Sequence, residues 1–169
     1  GAARAGVDLL TVHAVAPVVR AAAGAAADAG GGLIVAGVTV LTSLDAADLE
    51  AEGWRDGVPA LVRARAQTAV AAGAGAVVAS AQEAAMLRQL LAPDVMLITP
   101  GIRPPGAGAQ DQKRVATPAE AIRDGADLLV VARPVIQAKE PKAAARRLIE
   151  LIEEAERGRT APADRRISG

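Results

Sequence analysis

The sequence predicts an α/β fold built around a parallel sheet, and three observations carry that reading. Short apolar runs at Val7–Val12, Leu33–Leu41, Ala76–Ala79, Val95–Ile98 and Leu128–Val131 are nearly continuous rather than alternating, as in strands buried on both faces. Ala-rich amphipathic stretches lie between or after them, at Pro17–Ala29, Pro59–Ala72, Gln82–Leu91, Pro118–Arg123 and Pro141–Glu156. Strand–helix alternation of this kind implies parallel strands joined by crossover helices. The third observation is capping chemistry at the helix starts. Five strands in 169 residues fit a doubly wound sheet, and a complete (β/α)8 barrel usually needs about 200–250 residues. Periodicity leaves the doubly wound sheet and a truncated barrel both open. Either way the chain reads as one domain over residues 1–157 with a tail at 158–169.

The elements follow in order. Asp8 precedes the buried part of the first strand, at the end of the sheet away from chemistry. Gly30-Gly31-Gly32 lacks GxGxxG or Walker spacing and reads as a turn. Trp54 is placed in or beside a surface helix. Ser80-Ala-Gln-Glu83 carries a capping pattern, and Thr117-Pro-Ala-Glu120 reads as a capping box with Pro118 at the first helical position. Gly125 stands where a left-handed helix terminus belongs, just before the last strand. Ala145, Leu148, Ile149, Ile152 and Ala155 form one apolar stripe on the last helix, with Glu and Arg opposite. The tail Gly158–Gly169 is polar and interrupted by Gly and Pro, so it is expected to be loose.

Composition excludes several function classes. Apolar residues are 51% and charged residues 22%, the balance of a globular chain. Lys plus Arg and Asp plus Glu are 19 each, so the basic excess of a nucleic-acid binder is absent. Cysteine is absent and histidine occurs once, which removes disulfides, thiolate zinc sites, a His-based metal cluster and a Ser-His-Asp triad. Trp54 is the only aromatic, so base-stacking platforms are excluded. There is no apolar run of about 18 residues and no signal-peptide pattern. The expectation is a cytoplasmic protein without a membrane partner. The chain begins at Gly1 rather than Met, and is expected to be either processed or part of something longer.

Ligands of parallel α/β folds bind at the carboxyl ends of the strands. Those ends are Thr11-Val-His13, Val40-Leu-Thr-Ser43, Ala79-Ser80, Thr99-Pro-Gly-Ile-Arg103 and Ala132-Arg-Pro134. Arg133-Pro134 opens a short helix, so backbone N–H groups and a guanidinium converge in a way that suits a phosphate. Arg103 and the loop carrying Asp111-Gln112-Lys113-Arg114 can approach it from one side. The plain alternative is surface arginines flanking turns. Thr42 and Ser43 read either as a cap before Asp45 or as ligand hydroxyls. His13 reads either as a hydrogen-bonded structural residue or as a catalyst. The lysines are Lys113, Lys139 and Lys142, none at a strand's carboxyl end, where a Schiff base would form. No two strand ends pair carboxylates for acid–base work.

Taken together, Gly6-Val-Asp-Leu-Leu-Thr-Val-His-Ala14, Val38-Thr-Val-Leu-Thr-Ser43, Val77-Val-Ala-Ser-Ala-Gln-Glu-Ala84, Thr99-Pro-Gly-Ile-Arg-Pro104, Asp111-Gln-Lys-Arg-Val-Ala-Thr-Pro-Ala-Glu-Ala-Ile122 and Val130-Val-Ala-Arg-Pro134 resemble the orotidine 5′-phosphate decarboxylase family. Order and spacing match up to about Glu156. The resemblance implies a (β/α)8 barrel, usually a homodimer, that converts orotidine 5′-phosphate to uridine 5′-phosphate with no metal or organic cofactor. It implies that Arg133 and the backbone at Ala132 hold the 5′-phosphate, and that Arg103 and Gln112 belong to a loop closing over phosphate and base. Thr42 and Ser43 then lie on the pyrimidine and ribose side, Pro100 lies against the ring, and His13 supports the floor of the site.

The chain departs from the family pattern at the reacting centre. The family's engine is an Asp-x-Lys-x-x-Asp run at the third barrel strand, whose lysine protonates C6. Asp111-Gln-Lys113 starts that pattern, but position 116 is Ala, so no catalytic residue is expected in this chain. Its five strands correspond to the fourth through eighth of the family barrel. Ala132 stands where the family has Gly, Ile136 where it has Thr, and Val15-Ala-Pro17 where Gly-Gly is common. The chain alone is therefore expected to be inactive. The other reading is a non-catalytic nucleotide- or phosphate-binding partial barrel, or a half barrel completed by a partner.

Overall fold

The computed structural model describes residues 1–105 and 114–158. After a short 3-10 turn at Ala3–Ala5, the chain alternates β1 (Leu9–His13), α1 (Ala16–Asp28), β2 (Ile34–Val38), α2 (Ala46–Ala51), α3 (Gly57–Ala71), β3 (Ala76–Val78), α4 (Ala81–Leu90) and β4 (Met96–Thr99). It continues through α5 (Pro118–Arg123), β5 (Leu128–Leu129), α6 (Arg133–Ile136) and α7 (Pro141–Gly158). The strands form one sheet in the order β1-β2-β3-β4-β5, every neighbouring pair parallel.

That order settles the choice between architectures. Helix α1 packs on α3, α3 on α4, α4 on α5 and α5 on α7, so the helices form one continuous layer. A doubly wound sheet places helices on both faces. Here the helix-facing side holds Val35, Val77 and Leu97 against core residues of α1, α3 and α4. The opposite side packs Ala36, Ala76, Val78 and Ile98 with Leu9, Ile34, Val38 and Met96, all from strands. The sheet is thus an open segment of a β/α barrel, and its strand-only face is the barrel interior. Register places His13, Val38, Val78, Ile98 and Leu128 in one row on that face. A closed barrel of this kind has eight strands.

Several boundaries differ from the sequence reading, for backbone reasons. The second strand ends at Val38 rather than Leu41. β3 stops at Val78, and the last ladder bond is Thr39 N–H to Val78 O at 3.1 Å. Beyond that point β2 has no partner strand. Helix α2 was not foreseen as an element. It is too short to show a period, but Asp45 and Asp48 nail its start in a reciprocal capping box. Helix α3 starts at Gly57 rather than Pro59. Thr117 and Glu120 form the expected box on α5. Gly125, at φ 101°, ends α5 in a Schellman pattern, with Ala126 N–H on Ala121 O and Gly125 N–H on Ile122 O. The apolar stripe of α7 is only half-buried and Ile149 stays 54% exposed, because α7 packs on α5 and α6 at the end of the helix layer. Gly158 belongs to α7, and the rest of the expected loose tail, 159–169, lies outside the described residues. Among the described residues no helix is long and apolar enough to cross a membrane.

Two contacts fix the layers. A Cβ at Gly37 would stand 2.5 Å from the Cβ of Ala69, so β2 and α3 approach through a missing side chain. At the amino end of the sheet, Arg88 Nη2 meets Asp127 Oδ2 at 2.6 Å while Nη1 and Nε donate to the Val95 and Gly125 carbonyls. Asp127 Oδ2 also accepts from Leu97 N–H at 2.8 Å. This clasp ties α4 to the starts of β4 and β5, the end of a barrel where residues serve stability.

Both sheet edges are uncovered among the described residues. Val7 is 40% exposed beside β1, and Leu128 and Val130 are each 46% exposed at β5. Open apolar edges promote pairing with other chains, so sedimentation of the isolated chain should show self-association; a monodisperse monomer would refute this. Gly37→Ala should lower stability by about 1–3 kcal/mol through overpacking against Ala69. An unchanged urea midpoint would show that α3 moves away without cost.

Candidate functional site

The carboxyl ends of the strands meet at one edge of the sheet, and two arginines organise the end of β2. Arg65 Nη1 donates to Thr39 O at 2.7 Å while its guanidinium lies 5.6 Å from the Trp54 ring, which is half-exposed beside α3. Arg114 Nη2 donates to Val40 O at 3.2 Å and Leu41 O at 3.1 Å. Three successive carbonyls that have run out of ladder partners are thus held by guanidinium groups, as buried backbone acceptors require. Leu44 N–H closes a turn on Leu41 O at 3.0 Å, which makes Thr42 and Ser43 its central residues. The cap of α2 is Asp45, whose side chain accepts from Asp48 N–H. The capping alternative for Thr42 and Ser43 is therefore set aside. Thr42 is buried and Ser43 exposed.

The β4 end is built around a neck. Gly101 takes φ 78° after Pro100, a left-handed conformation that glycine reaches without strain. Ile102 then bridges Ala116, with Arg103 N–H on Ala116 O at 2.8 Å and Ala116 N–H on Gly101 O at 3.3 Å. The two arginines at this neck have different surroundings. Arg114 is 6% exposed and pairs through Nη1 with Glu83 Oε1 at 2.6 Å. Burial pushes the Glu83 carboxyl above its ordinary range, and the Arg114 charge pulls it back. Arg103 is 7% exposed and spends Nη1 on its neighbour's carbonyl, Ile102 O, at 2.9 Å. Its Nε and Nη2 are buried without a hydrogen-bond partner among the described residues. Thr99 Oγ1, at the end of β4, is buried and unpartnered as well. Gln112 lies outside the described residues.

At the β5 end, Arg133 opens α6 with Ala132 as N-cap. Pro134 has no N–H, and Val135 N–H is spent on Ala132 O at 2.9 Å. The expected convergence of N–H groups is accordingly thin. Ala132 has φ −120° and ψ −78°. His13 is exposed at the end of the β1 edge strand, on the barrel-interior face. Among the described residues no group of His, Asp and Glu is arranged to hold a metal ion.

A sequence model of the orotidine 5′-phosphate decarboxylase / HUMPS family matches residues 1–148. The chain belongs to this family. It is 51% identical over 150 residues to an orotidine 5′-phosphate decarboxylase of Rhodopseudomonas palustris (strain BisB5), covering 89% of this chain and 63% of that protein. It is equally similar, 51% over 154 residues, to that of Methylobacterium sp. (strain 4-46), covering 90% and 65%. The crystal structure of orotidine 5′-phosphate decarboxylase from Lactobacillus acidophilus superposes with TM-score 0.74 at 30% identity, over 89% of this chain and 65% of that one. The chain thus spans a little under two thirds of the length of these relatives.

Within the family frame, the fold brings Thr42, Ser43, Pro100, Arg103, Ala132, Arg133 and His13 to the carboxyl edge of one sheet. Glu83 and the buried state of Arg114 escaped the sequence reading. Glu83 occupied the fourth position of a capping pattern; Ser80 caps α4 through Gln82 N–H as expected, and the Glu83 carboxylate also pairs with Arg114. Arg114 stood in a loop expected to fold over a phosphate; its Nη1 and Nη2 are spent on Glu83 and two carbonyls, while Nε is buried without a partner among the described residues. The signal was present as an acid and a base in two separate motifs, but nothing in the sequence paired them.

A buried guanidinium with two unpaired nitrogens is costly. Arg103→Met should therefore leave the thermal midpoint of the ligand-free chain unchanged or higher. A clear fall would mean that Arg103 contributes stability rather than an anion contact.

Proposed function

We propose that this chain forms the phosphate- and base-binding portion of an orotidine 5′-phosphate decarboxylase. The observation that carries the reading is Arg103, buried at the neck after β4 with Nε and Nη2 unpartnered among the described residues. A group left in that state is matched by an arriving anion. Arg133, one strand along, supplies the second cation and the backbone at Ala132 lies beside it. Thr42 and Ser43 take the base and ribose side, Pro100 meets the ring, and Arg103 and Gln112 belong to the loop over phosphate and base. His13 supports the floor without reacting. No metal or organic cofactor enters this reading, and the homodimer and cytoplasmic setting follow the family.

In such a site the phosphate contacts contribute binding free energy that is realised at the reacting centre. The reacting centre itself needs a lysine to protonate C6 and carboxylates to oppose the substrate carboxylate. That Asp-x-Lys-x-x-Asp run is absent from this sequence. The chain alone is accordingly assigned binding, not turnover. The open sheet favours a second reading beside this one: a nucleotide-binding half barrel completed by a partner.

Uridine 5′-phosphate at millimolar concentration should raise the thermal midpoint of the chain, since a ligand bound only to the folded state stabilises it. Arg133→Ala should weaken that binding by about 1.5–3 kcal/mol, the worth of a hydrogen bond to a charged group. Orotidine 5′-phosphate should not be turned over above background. A melt unmoved by the nucleotide would refute the binding assignment, and turnover would refute the assignment of catalysis to residues outside this chain.

A further inference from the structure

We propose that Arg114 is a positioning residue that locks the Thr42–Ser43 turn to the neck after β4, so that the two sides of the ligand site move as one body. The proposal rests on the nucleotide reading above for the roles of Thr42, Ser43 and Arg103. The coupling itself rests on geometry.

The carbonyl that closes the turn is shared. Leu41 O accepts from Leu44 N–H at 3.0 Å and from Arg114 Nη2 at 3.1 Å. The same Nη2 reaches Val40 O at 3.2 Å, so it holds the two carbonyls that lead into Thr42. The other arm of the guanidinium is anchored on Glu83, which is itself 5% exposed. Glu83 sits in the first turn of α4 between Ala81, Ala84 and Leu87, all buried. The anchor is therefore fixed by the core. The backbone of Arg114 lies two residues before Ala116, which pairs with Ile102 and holds Arg103 N–H. One side chain spans from the neck that carries Arg103 to the turn that carries Thr42 and Ser43, with α4 as the common support.

The chemistry requires arginine. A planar fork can meet a carboxylate on one arm and two carbonyls on another, while an ammonium is a point charge without that fixed geometry. Buried ion pairs give little net stability compared with apolar packing, so a purely stabilising role does not call for this arrangement. Holding a turn in a set position does.

The test compares Arg114→Met, Arg114→Lys and Glu83→Gln with the unaltered chain. Two quantities are read: amide hydrogen exchange at Leu44 and at Val77 in β3, and affinity for uridine 5′-phosphate. Opening of the turn should speed Leu44 exchange by about tenfold or more, the loss of a charge-assisted hydrogen bond, while Val77 exchange is unchanged. Nucleotide affinity should fall by a similar factor, and the lysine variant should not restore it. Glu83→Gln keeps the packing and removes the countercharge, so it should give a smaller change of the same kind should Arg114→Met fail to fold. Unchanged Leu44 exchange would overturn the proposal, as would equal acceleration at Leu44 and Val77, which marks general destabilisation. If the unaltered chain does not bind uridine 5′-phosphate, the nucleotide reading fails, and the positioning role stands or falls on exchange alone.

Discussion

A parallel sheet whose crossovers all fall on one side must cover its second face with itself. In this chain the helix layer runs continuously from α1 to α7 along one side. Among the described residues the other side packs strand residues, including Ala36, Ala76, Val78 and Ile98. Small and β-branched side chains there are suited to a curved wall facing other strands of the same wall. The exposed apolar residues at β5 and beside β1 are the direct result of that wall stopping at five strands. The match to about two thirds of the relatives' length states the same fact in sequence terms.

The same constraint organises the site. Short parallel strands of unequal length leave carbonyls without ladder partners at their carboxyl ends. At β2 those acceptors, Thr39, Val40 and Leu41, are taken up by Arg65 and Arg114. Arginine is thus used in two ways within a few residues of the neck. Arg114 spends Nη1 and Nη2 on protein groups and keeps Nε buried without a partner among the described residues, whereas Arg103 keeps two such nitrogens. The first use holds the backbone of the rim, and the second underlies the anion contact proposed for Arg103.

Much of the fold was legible because its signals are local. The box Thr117-Pro-Ala-Glu120 and Gly125 bound α5 as expected, since a cap needs only the residues within one turn. The limits of β2 were not legible, because a strand ends where its neighbour ends, and β3 stops at Val78. Helix α2 was missed because six residues carry too little periodicity. In the site, Arg103 and Arg133 were singled out as candidates from their places at strand ends. Arg114 was read with them, since composition does not show that it pairs with Glu83.

The sequence by itself determined the alternation of strands and helices, the apolar core without aromatic rings, the family, and the absence of the Asp-x-Lys-x-x-Asp run. These depend on residue identity and on spacings within a few turns. Tertiary structure decided that the helices share one face, that both sheet edges are open among the described residues, and that Glu83 pairs with Arg114 across 31 positions of sequence. Such features arise from which groups are left without partners once the sheet has formed, and unpaired buried groups exist only in the packed chain.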